Sequence, residues 1–454
     1  MHAHTSDRLR PKPHFFDRGM TAQGTTKFRA FLEITMEKII INGGLPLNGD
    51  VYIDGMKNAA LPIIAATLLC GDTCIIDNVP AVSDIAMLLD IISGMGAEVE
   101  YLDKCRIRIN TANVKPGCSP YDLVCKIRGS AYIIGAEIGR FGTAHVGYPG
   151  GCDFGVRPLD LHLMGFEALG AQISVESGYI NAVSPMGLHG NAIYFRLPSV
   201  GATVNCILAS VFADGVTTIE GAAQEPHIVD MANFLNACGA DISGAGTPSI
   251  KVRGVKSLHG CNHTVIPDMI EAGTYMAAAA IAGGDVCVHN VIPKHMESVC
   301  SVLSRMGVKL DIGIDTITVH STGKLIATDV VTQPYPGFPT DMHPQISALM
   351  CVADGVSRMS ELVWDNRFRY INEFQKMGTN ISLSDRTASF TGSQKLSGAP
   401  VVSTDLRAGA AMIILALRAH GTSQISKISL IERGYDNIVG KLAALGANIK
   451  RVDE

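Results

Sequence analysis

Met95-Gly-Ala-Glu-Val closes an apolar-periodic segment with a glycine and runs at once into a β-rich stretch, and the same passage returns five more times. The other copies read Leu169-Gly-Ala-Gln-Ile, Cys238-Gly-Ala-Asp-Ile, Met306-Gly-Val-Lys-Leu, Met377-Gly-Thr-Asn-Ile and Leu445-Gly-Ala-Asn-Ile. A glycine just past the last apolar position is a common helix stop, because it takes the left-handed conformation without a Cβ penalty. Each copy therefore reads as an amphipathic helix, a glycine stop and a strand. The period is about 70 residues, long for a solenoid unit but found by the same self-comparison.

A second signal precedes each copy. An apolar helix ends in a glycine turn and runs into another strand over 58–79, 129–147, 201–219, 272–291, 344–362 and 408–425. The turn glycines are Gly71, Gly142, Gly215, Gly284, Gly355 and Gly421. Leu61-Pro-Ile-Ile-Ala-Ala-Thr-Leu-Leu and Tyr275-Met-Ala-Ala-Ala-Ala-Ile-Ala are apolar on almost every face, so such helices must be buried on all sides. The 84–93 segment carries apolar residues at three- and four-residue spacing and can face solvent. These patterns predict six helix-strand-helix-strand units with further strands between them. Buried helices lie inside, sheets and amphipathic helices outside, and the six divide into two globules of three.

The chain has 454 residues, more than one ordinary core holds, and 47% hydrophobic with 17% charged residues describes a deeply buried α/β protein. Mean hydropathy is +0.23. A formal net charge of −5 gives no general attraction for nucleic acid, so an anionic ligand would need locally clustered cations. No apolar run reaches the roughly 20 residues of a membrane span. Residues 1–35 are polar and basic, carry no apolar core like a secretory signal, and read as a disordered extension. The twelve cysteines are scattered and form no Cys-x-x-Cys pair. That argues against a structural zinc site and for reduced thiols in a cytoplasmic protein.

The chemistry lies where the units depart from their own consensus. Lys57 and Asn58 open a buried helix whose free N–H groups and dipole favour an anion; the other reading of Lys57 is a side chain snorkelling from a helix end. Arg128 holds the same place in the second unit, Asp341 in the fifth, and Asp405 with Arg407 in the sixth. Asp341 or Asp405 alone is equally a helix cap. Their recurrence together with Lys57, Arg128, Arg157 and Arg433 points to an anion-binding, acid/base cleft between the globules. In Gly147-Tyr-Pro-Gly-Gly-Cys152-Asp-Phe-Gly-Val-Arg157-Pro-Leu-Asp-Leu-His162, three glycines permit a tight, movable loop around one cysteine. Cys152 is then either a thiol activated by Arg157 or one more buried cysteine.

The motifs that decide between these readings are Lys57-Asn58-Ala-Ala-Leu-Pro, Pro149-Gly-Gly-Cys152, Gly155-Val-Arg157-Pro158-Leu159-Asp160-Leu161-His162 and Ser199-Val-Gly-Ala-Thr. They continue with Glu225-Pro, Phe338-Pro-Thr-Asp341-Met, Asn366-Arg367-Phe, Thr404-Asp405-Leu-Arg407 and Arg433-Gly-Tyr. From about Met36 to the C-terminus, this series resembles the UDP-N-acetylglucosamine 1-carboxyvinyltransferase family of enolpyruvyl transferases. The related shikimate 3-phosphate enzymes lack the cysteine.

The resemblance implies a two-domain inside-out α/β barrel of six βαβαββ repeats, three per domain. Residues 36–56 would join 267–454 in the domain with the general base. Residues 57–266 would form the domain with the cysteine loop and uridine-nucleotide site. It implies transfer of the enolpyruvyl group of phosphoenolpyruvate to the 3-hydroxyl of UDP-N-acetylglucosamine, the first committed step of peptidoglycan synthesis. It implies no metal or organic cofactor, no nucleic-acid partner and susceptibility to fosfomycin.

By the same resemblance Cys152 donates a proton to the methylene carbon, Asp341 deprotonates the sugar hydroxyl, and Asp405 and Arg433 complete the catalytic set. Lys57, Asn58, Arg157, Arg407 and Arg433 would bind phosphoenolpyruvate. Asn58, Arg128, Arg157, Pro158, Leu159, Asp160, Leu161, Leu197, Pro198, Ser199, Val200, Asp341 and Val363 would contact the UDP-sugar. Three places depart from the pattern: Met269 stands for an arginine, His227 for a glutamate, and Gly129-Ser130 for an alanine-serine pair. The competing readings are an enolpyruvyl transferase with another nucleotide acceptor, and a silent UDP-sugar-binding regulator.

Overall fold

A computed structural model describes residues 37–150, 158–393 and 395–453. Six buried helices organise it: α1 (Lys57–Cys70), α2 (Tyr132–Phe141), α3 (Val200–Ser210), α4 (Met269–Ala282), α5 (His343–Met350) and α6 (Leu406–Arg418). α1, α2 and α3 pack on one another, and α4, α5 and α6 do the same. Their nearly uninterrupted apolar surfaces leave no other arrangement that keeps them from water. All six glycines that stop the amphipathic helices have positive φ, from 86° at Gly378 to 106° at Gly96, as the sequence predicts.

Each unit lays a sheet over its buried helix. Thr73–Asp77, which follows α1, pairs in parallel with Asn262–Thr264 and antiparallel with Ile107–Asn110, whose hairpin partner is Glu98–Tyr101. The same order of one parallel and two antiparallel neighbours recurs in five four-stranded sheets among the described residues. The second unit has a three-stranded sheet instead, Thr143–Gly147, Tyr179–Val183 and Gln172–Glu176. Where the others place a first strand, it has Pro116, Gly117 and Pro120, then a short helix at Tyr121–Val124. Prolines lack the N–H that a ladder needs.

The N-terminal strands are used far from their place in the chain. Gly49–Tyr52 pairs in parallel with Gly284–His289, and Lys38–Asn42 lies between Thr422–Ser426 and Asn448–Val452. The chain therefore opens in the fourth and sixth sheets before it builds the first. No helix among the described residues is long and apolar enough to cross a membrane.

Helices α2 and α3 cross closely because α2 carries glycine at the contact. A Cβ on Gly139 would fall 2.6 Å from the Leu208 carbonyl oxygen. Asn205 on α3 accepts from the Gly135 amide at 3.0 Å and donates to the Ala131 carbonyl at 3.0 Å. Gly139→Ala should push the two helices apart and cost about 1–3 kcal/mol, the usual range for overpacking. Calorimetry reads this as a lowered Tm; an unchanged Tm would show that the crossing can relax.

Candidate active site

The charged residues singled out in the sequence gather at the N-terminal ends of the buried helices. Lys57 opens α1 and is 8% exposed. Its Nζ is 3.2 Å from Asp84 Oδ2, and Arg433 Nε is 2.8 Å from Asp84 Oδ1. Asp84 sits in the first turn of the amphipathic helix Ser83–Gly94. Burial pushes its carboxyl up, but Lys57 and Arg433 outweigh this and hold it below the usual carboxylate range. One carboxylate thus holds two cations side by side. The Arg433 segment is also tied to the Asp84 side, where the Ser83 amide donates to the Glu432 carbonyl at 3.3 Å and Lys104 meets Asp436 at 2.8 Å.

Asp341 lies in the helical turn Thr340–Met342 just before α5. Arg407 Nη2 reaches its Oδ2 at 3.2 Å and Arg367 Nη2 its Oδ1 at 3.3 Å. The two arginines are 2% and 1% exposed, while the Asp341 side chain keeps 31% of its surface. Burial alone would raise the Asp341 pKa; the charges of Arg407, Arg367 and Lys57 reverse that and hold it well below the usual range. Lys57 therefore acts on the same carboxylate, which ties the two clusters into one site.

Asp405 is the cap of α6, where Oδ1 accepts from the Arg407 and Ala408 amides at 2.9 and 3.0 Å. This orients Arg407, whose guanidinium carbon is 5.3 Å from the centre of the Tyr435 ring. Asp268 caps α4 in the same way and also accepts from the Lys57 amide at 3.3 Å.

Arg128 opens the turn Arg128–Ala131 and donates to the Pro149 carbonyl at 3.5 Å, which brings it to the border of the cysteine loop. Asn58 is half-buried in the first turn of α1. Pro158 and Asp160 are exposed, Leu159 is buried and Leu161 half-buried at the start of the helix Asp160–Ala168. Leu197 and Pro198 are exposed ahead of α3, with Ser199 as its cap and Val200 as its first residue. Cys152 and Arg157 lie outside the described residues, as does the 1–35 extension.

Sequence reasoning passed over several members of this site. In the sequence, Asp84 reads only as part of a solvent-facing helix, and Arg367 only as part of a motif. His227, noted as a departure, sits within the field of Asp341; burial pushes its pKa down to about 4, against the pull of Asp341.

Behind Asp341 lies a buried network. Glu361 is 0% exposed. Its Oε2 accepts from Thr340 Oγ1 at 2.8 Å and lies 2.7 Å from His343 Nδ1, and its Oε1 accepts from the Val363 and Trp364 amides at 2.8 and 3.0 Å. The Tyr370 hydroxyl is 2.9 Å from His343 Nε2 and 2.7 Å from Ser347 Oγ. This one carboxylate positions both the residue before Asp341 and the Val363 segment. Glu361→Gln should set an amide N–H₂ against Thr340 or His343 and cost about 1–3 kcal/mol, as leaving a buried polar group unsatisfied does. Chemical denaturation checks this, and a loss under 1 kcal/mol would reduce the network to packing.

The arrangement offers a cluster of cations suited to an anion and, near it, a partly exposed carboxylate able to take a proton. Residues 41–442 match the family described as EPSP synthase (3-phosphoshikimate 1-carboxyvinyltransferase). The chain is 48% identical over 419 residues to UDP-N-acetylglucosamine 1-carboxyvinyltransferase 3 of Caldanaerobacter subterraneus subsp. tengcongensis, covering 92% of this chain and 100% of that one. It is 47% identical over 418 residues to UDP-N-acetylglucosamine 1-carboxyvinyltransferase of Clostridium botulinum, with 92% and 100% covered. Among solved structures, the enolpyruvyl transferase NikO from Streptomyces tendae superposes with a TM-score of 0.84 at 26% identity, covering 92% of this chain and 100% of that one. An EPSP synthase from Acinetobacter baumannii, at TM-score 0.69 and 18% identity with the same coverage, shares the fold.

Proposed function

The chain belongs to the EPSP synthase family of enolpyruvyl transferases, and from that premise we propose that it transfers the enolpyruvyl group of phosphoenolpyruvate to the 3-hydroxyl of UDP-N-acetylglucosamine. The observation that carries this reading is the meeting of Asp341, clamped by Arg407 and Arg367, with the Lys57–Asp84–Arg433 cluster.

Phosphoenolpyruvate brings a carboxylate and a phosphate, and Lys57, Arg433, Arg407 and Arg157 hold them. The sugar oxygen bonds to C2 as Asp341 takes its proton, while C3 receives a proton from Cys152. The C2–O bond to phosphate then breaks, C3 gives a proton back, and the enol ether and inorganic phosphate leave. In the ligand-free chain two arginines make Asp341 a weak base. An anion that draws Arg407 toward itself relaxes that hold, so the base strengthens only once phosphoenolpyruvate is bound. Asp405 keeps Arg407 in place through this exchange.

Asn58, Arg128, Arg157, Pro158 to Leu161, Leu197 to Val200 and Val363 form the UDP-sugar side. Residues 57–266 make one domain and 36–56 with 267–454 the other, with the reaction in the cleft between them. The enzyme works in the cytoplasm on small-molecule substrates, at the first committed step of peptidoglycan synthesis.

The test is phosphate release from phosphoenolpyruvate with three acceptors: UDP-N-acetylglucosamine, UMP and shikimate 3-phosphate. Release with the first alone is expected. Release only with another acceptor, or with none, would replace this reading by a different transferase or a silent binder.

A further inference from the structure

The cysteines that look scattered along the chain do not stay scattered in space. Cys70 is the last residue of α1, and Cys74 the second of the strand Thr73–Asp77. Cys238 closes the helix Pro226–Ala237, and Cys261 immediately precedes the strand Asn262–Thr264. The sulfurs of Cys70, Cys74 and Cys238 all lie within 4.8 Å of one another, and Cys261 Sγ is 3.2 Å from Cys238 Sγ. We propose that these four thiols form a binding site for one thiophilic d¹⁰ cation, Zn²⁺ being the expected occupant.

The geometry suits such an ion. Four thiolates around zinc at about 2.3 Å stand about 3.8 Å apart; the Cys70, Cys74 and Cys238 sulfurs already lie within 4.8 Å of one another, and Cys261, 3.2 Å from Cys238 but outside that group, would turn inward to complete the set. The backbone holds them in place before any ion arrives. The Ile75 amide donates to the Cys261 carbonyl at 2.9 Å and the His259 amide to the Cys238 carbonyl at 3.0 Å. The Gly260 amide donates to Asp72 Oδ2 at 3.0 Å, which joins the Cys261 segment to the Cys70–Cys74 turn. Cys70, Cys74 and Cys238 are 6%, 0% and 0% exposed, and Cys261 is half-buried. A half-buried fourth position leaves the ion a way in.

The surrounding charges agree. Cys70 and Cys238 stand at the C-terminal ends of two helices, where the dipoles favour a cation. A cluster of thiolates around a divalent ion carries net negative charge, and a fixed cation stands beside it. Arg140 donates to the Leu68 carbonyl at 2.7 Å and the Thr111 carbonyl at 2.9 Å. Its Nη2 is 3.0 Å from where a Cβ on Gly71 would sit, between Cys70 and Cys74.

The sequence signal is Cys70-x₃-Cys74, one residue longer than Cys-x-x-Cys but within the two- to four-residue gap common in zinc pairs. Binding would exchange the thiol protons for the metal with no change in oxidation state. The site would staple the strand Asn262–Thr264, which returns to close the first sheet, to the helix that began it. It lies at the opposite end of α1 from Lys57, roughly 20 Å away at 1.5 Å per residue, and is independent of the transfer reaction.

The experiment uses the full chain, purified under reducing conditions. It is dialysed against Zn²⁺ or Co²⁺ and then against metal-free buffer. Expected are one zinc per chain by plasma mass spectrometry and, with Co²⁺, intense thiolate-to-cobalt charge-transfer absorption with the visible bands of a tetrahedral ion. Zinc should raise the Tm, and a chelator should reverse the rise. Cys74→Ser and Cys238→Ser should each lose the charge-transfer band, whereas Cys351→Ser, a buried thiol after α5, should keep it. If the serine variants fail to fold, the cobalt spectrum and stoichiometry of the parent chain decide alone. Absence of the charge-transfer band in the folded parent, its survival in both serine variants, or a Cys238–Cys261 disulfide in place of metal would each overturn the proposal.

Discussion

Asp341→Asn is expected to lower turnover by about 100- to 10,000-fold, the span that a positioned general base contributes, while the chain still folds. The amide has the shape of the carboxylate, and its oxygen can still accept from one of Arg407 and Arg367, but it cannot take the proton of a hydroxyl. With the carboxylate gone, the two buried guanidiniums lose part of their partner. The stability cost should be roughly 1–3 kcal/mol, the range for a lost charged hydrogen bond.

The pH dependence separates this from general damage. The folded-state pKa of Asp341 is depressed, so its stabilising contribution is complete above the unfolded value near 4 and disappears as pH falls below it. The parent should therefore lose stability toward acid more steeply than the variant. Circular dichroism and UDP-N-acetylglucosamine binding verify the fold, and stopped assays of phosphate release measure the rate. A folded variant with near-parental kcat would end the assignment of Asp341 as the base.

The second large effect is expected at Cys152. Cys152→Ala should lose about 100-fold or more in turnover, as the proposed role of Cys152 as proton donor to the methylene carbon requires. Cys152→Asp should retain activity, because a carboxylic acid can deliver the same proton. An anionic epoxide such as fosfomycin should alkylate Cys152 in the parent and leave Cys152→Asp unaffected.

Burial does not by itself give this selectivity. Most of the other cysteines sit in apolar runs of the sequence, as Cys70 and Cys351 do, but Cys118 is exposed, and Cys105, Cys125, Cys261 and Cys287 are half-buried. Selectivity has to come from charge. Lys57 and Arg433 should draw an anionic reagent to the proposed phosphoenolpyruvate site, while a neutral reagent such as iodoacetamide should also label Cys118. Peptide mapping distinguishes the two. Epoxide adducts spread over several cysteines, or a Cys152 adduct with full activity, would remove the residue from the mechanism.

The glycine before the loop shows how tightly its border is built. A Cβ on Gly150 would fall 1.5 Å from the Cys125 carbonyl oxygen, and the Tyr148 amide donates to the Gly178 carbonyl at 2.7 Å. At Gly150 glycine is required by this close backbone approach rather than by a positive φ, and Gly151 lies outside the described residues. The amphipathic-helix stops and the apolar helices were legible, because both follow from local rules: a periodicity of 3.6 residues, and a positive φ that glycine takes freely.

Other features were not legible, since nothing near them in the chain announces them. Asp84 reads as the first turn of a surface helix until Lys57 and Arg433, the latter 349 positions away, close on its two oxygens. Glu361 reads as a lone acid at a strand end until His343, Thr340 and two amides surround it.

The sequence by itself determined the six-fold unit, the burial of its central helices and the placement of charge at their N-termini. It also carried, in its ordered motifs, the family to which the chain belongs. Each of these rests on contacts within one turn or one strand, or on residue identity alone. Only the tertiary structure decided which charges are shared, which carboxylate is held ionised, and which thiols meet. The pairing of Lys38–Asn42 with Asn448–Val452, and of Asn262–Thr264 with Thr73–Asp77, brings together segments that no local periodicity relates. Coulomb energies and sulfur geometry depend on distance in space, and that distance is set only when the sheets close.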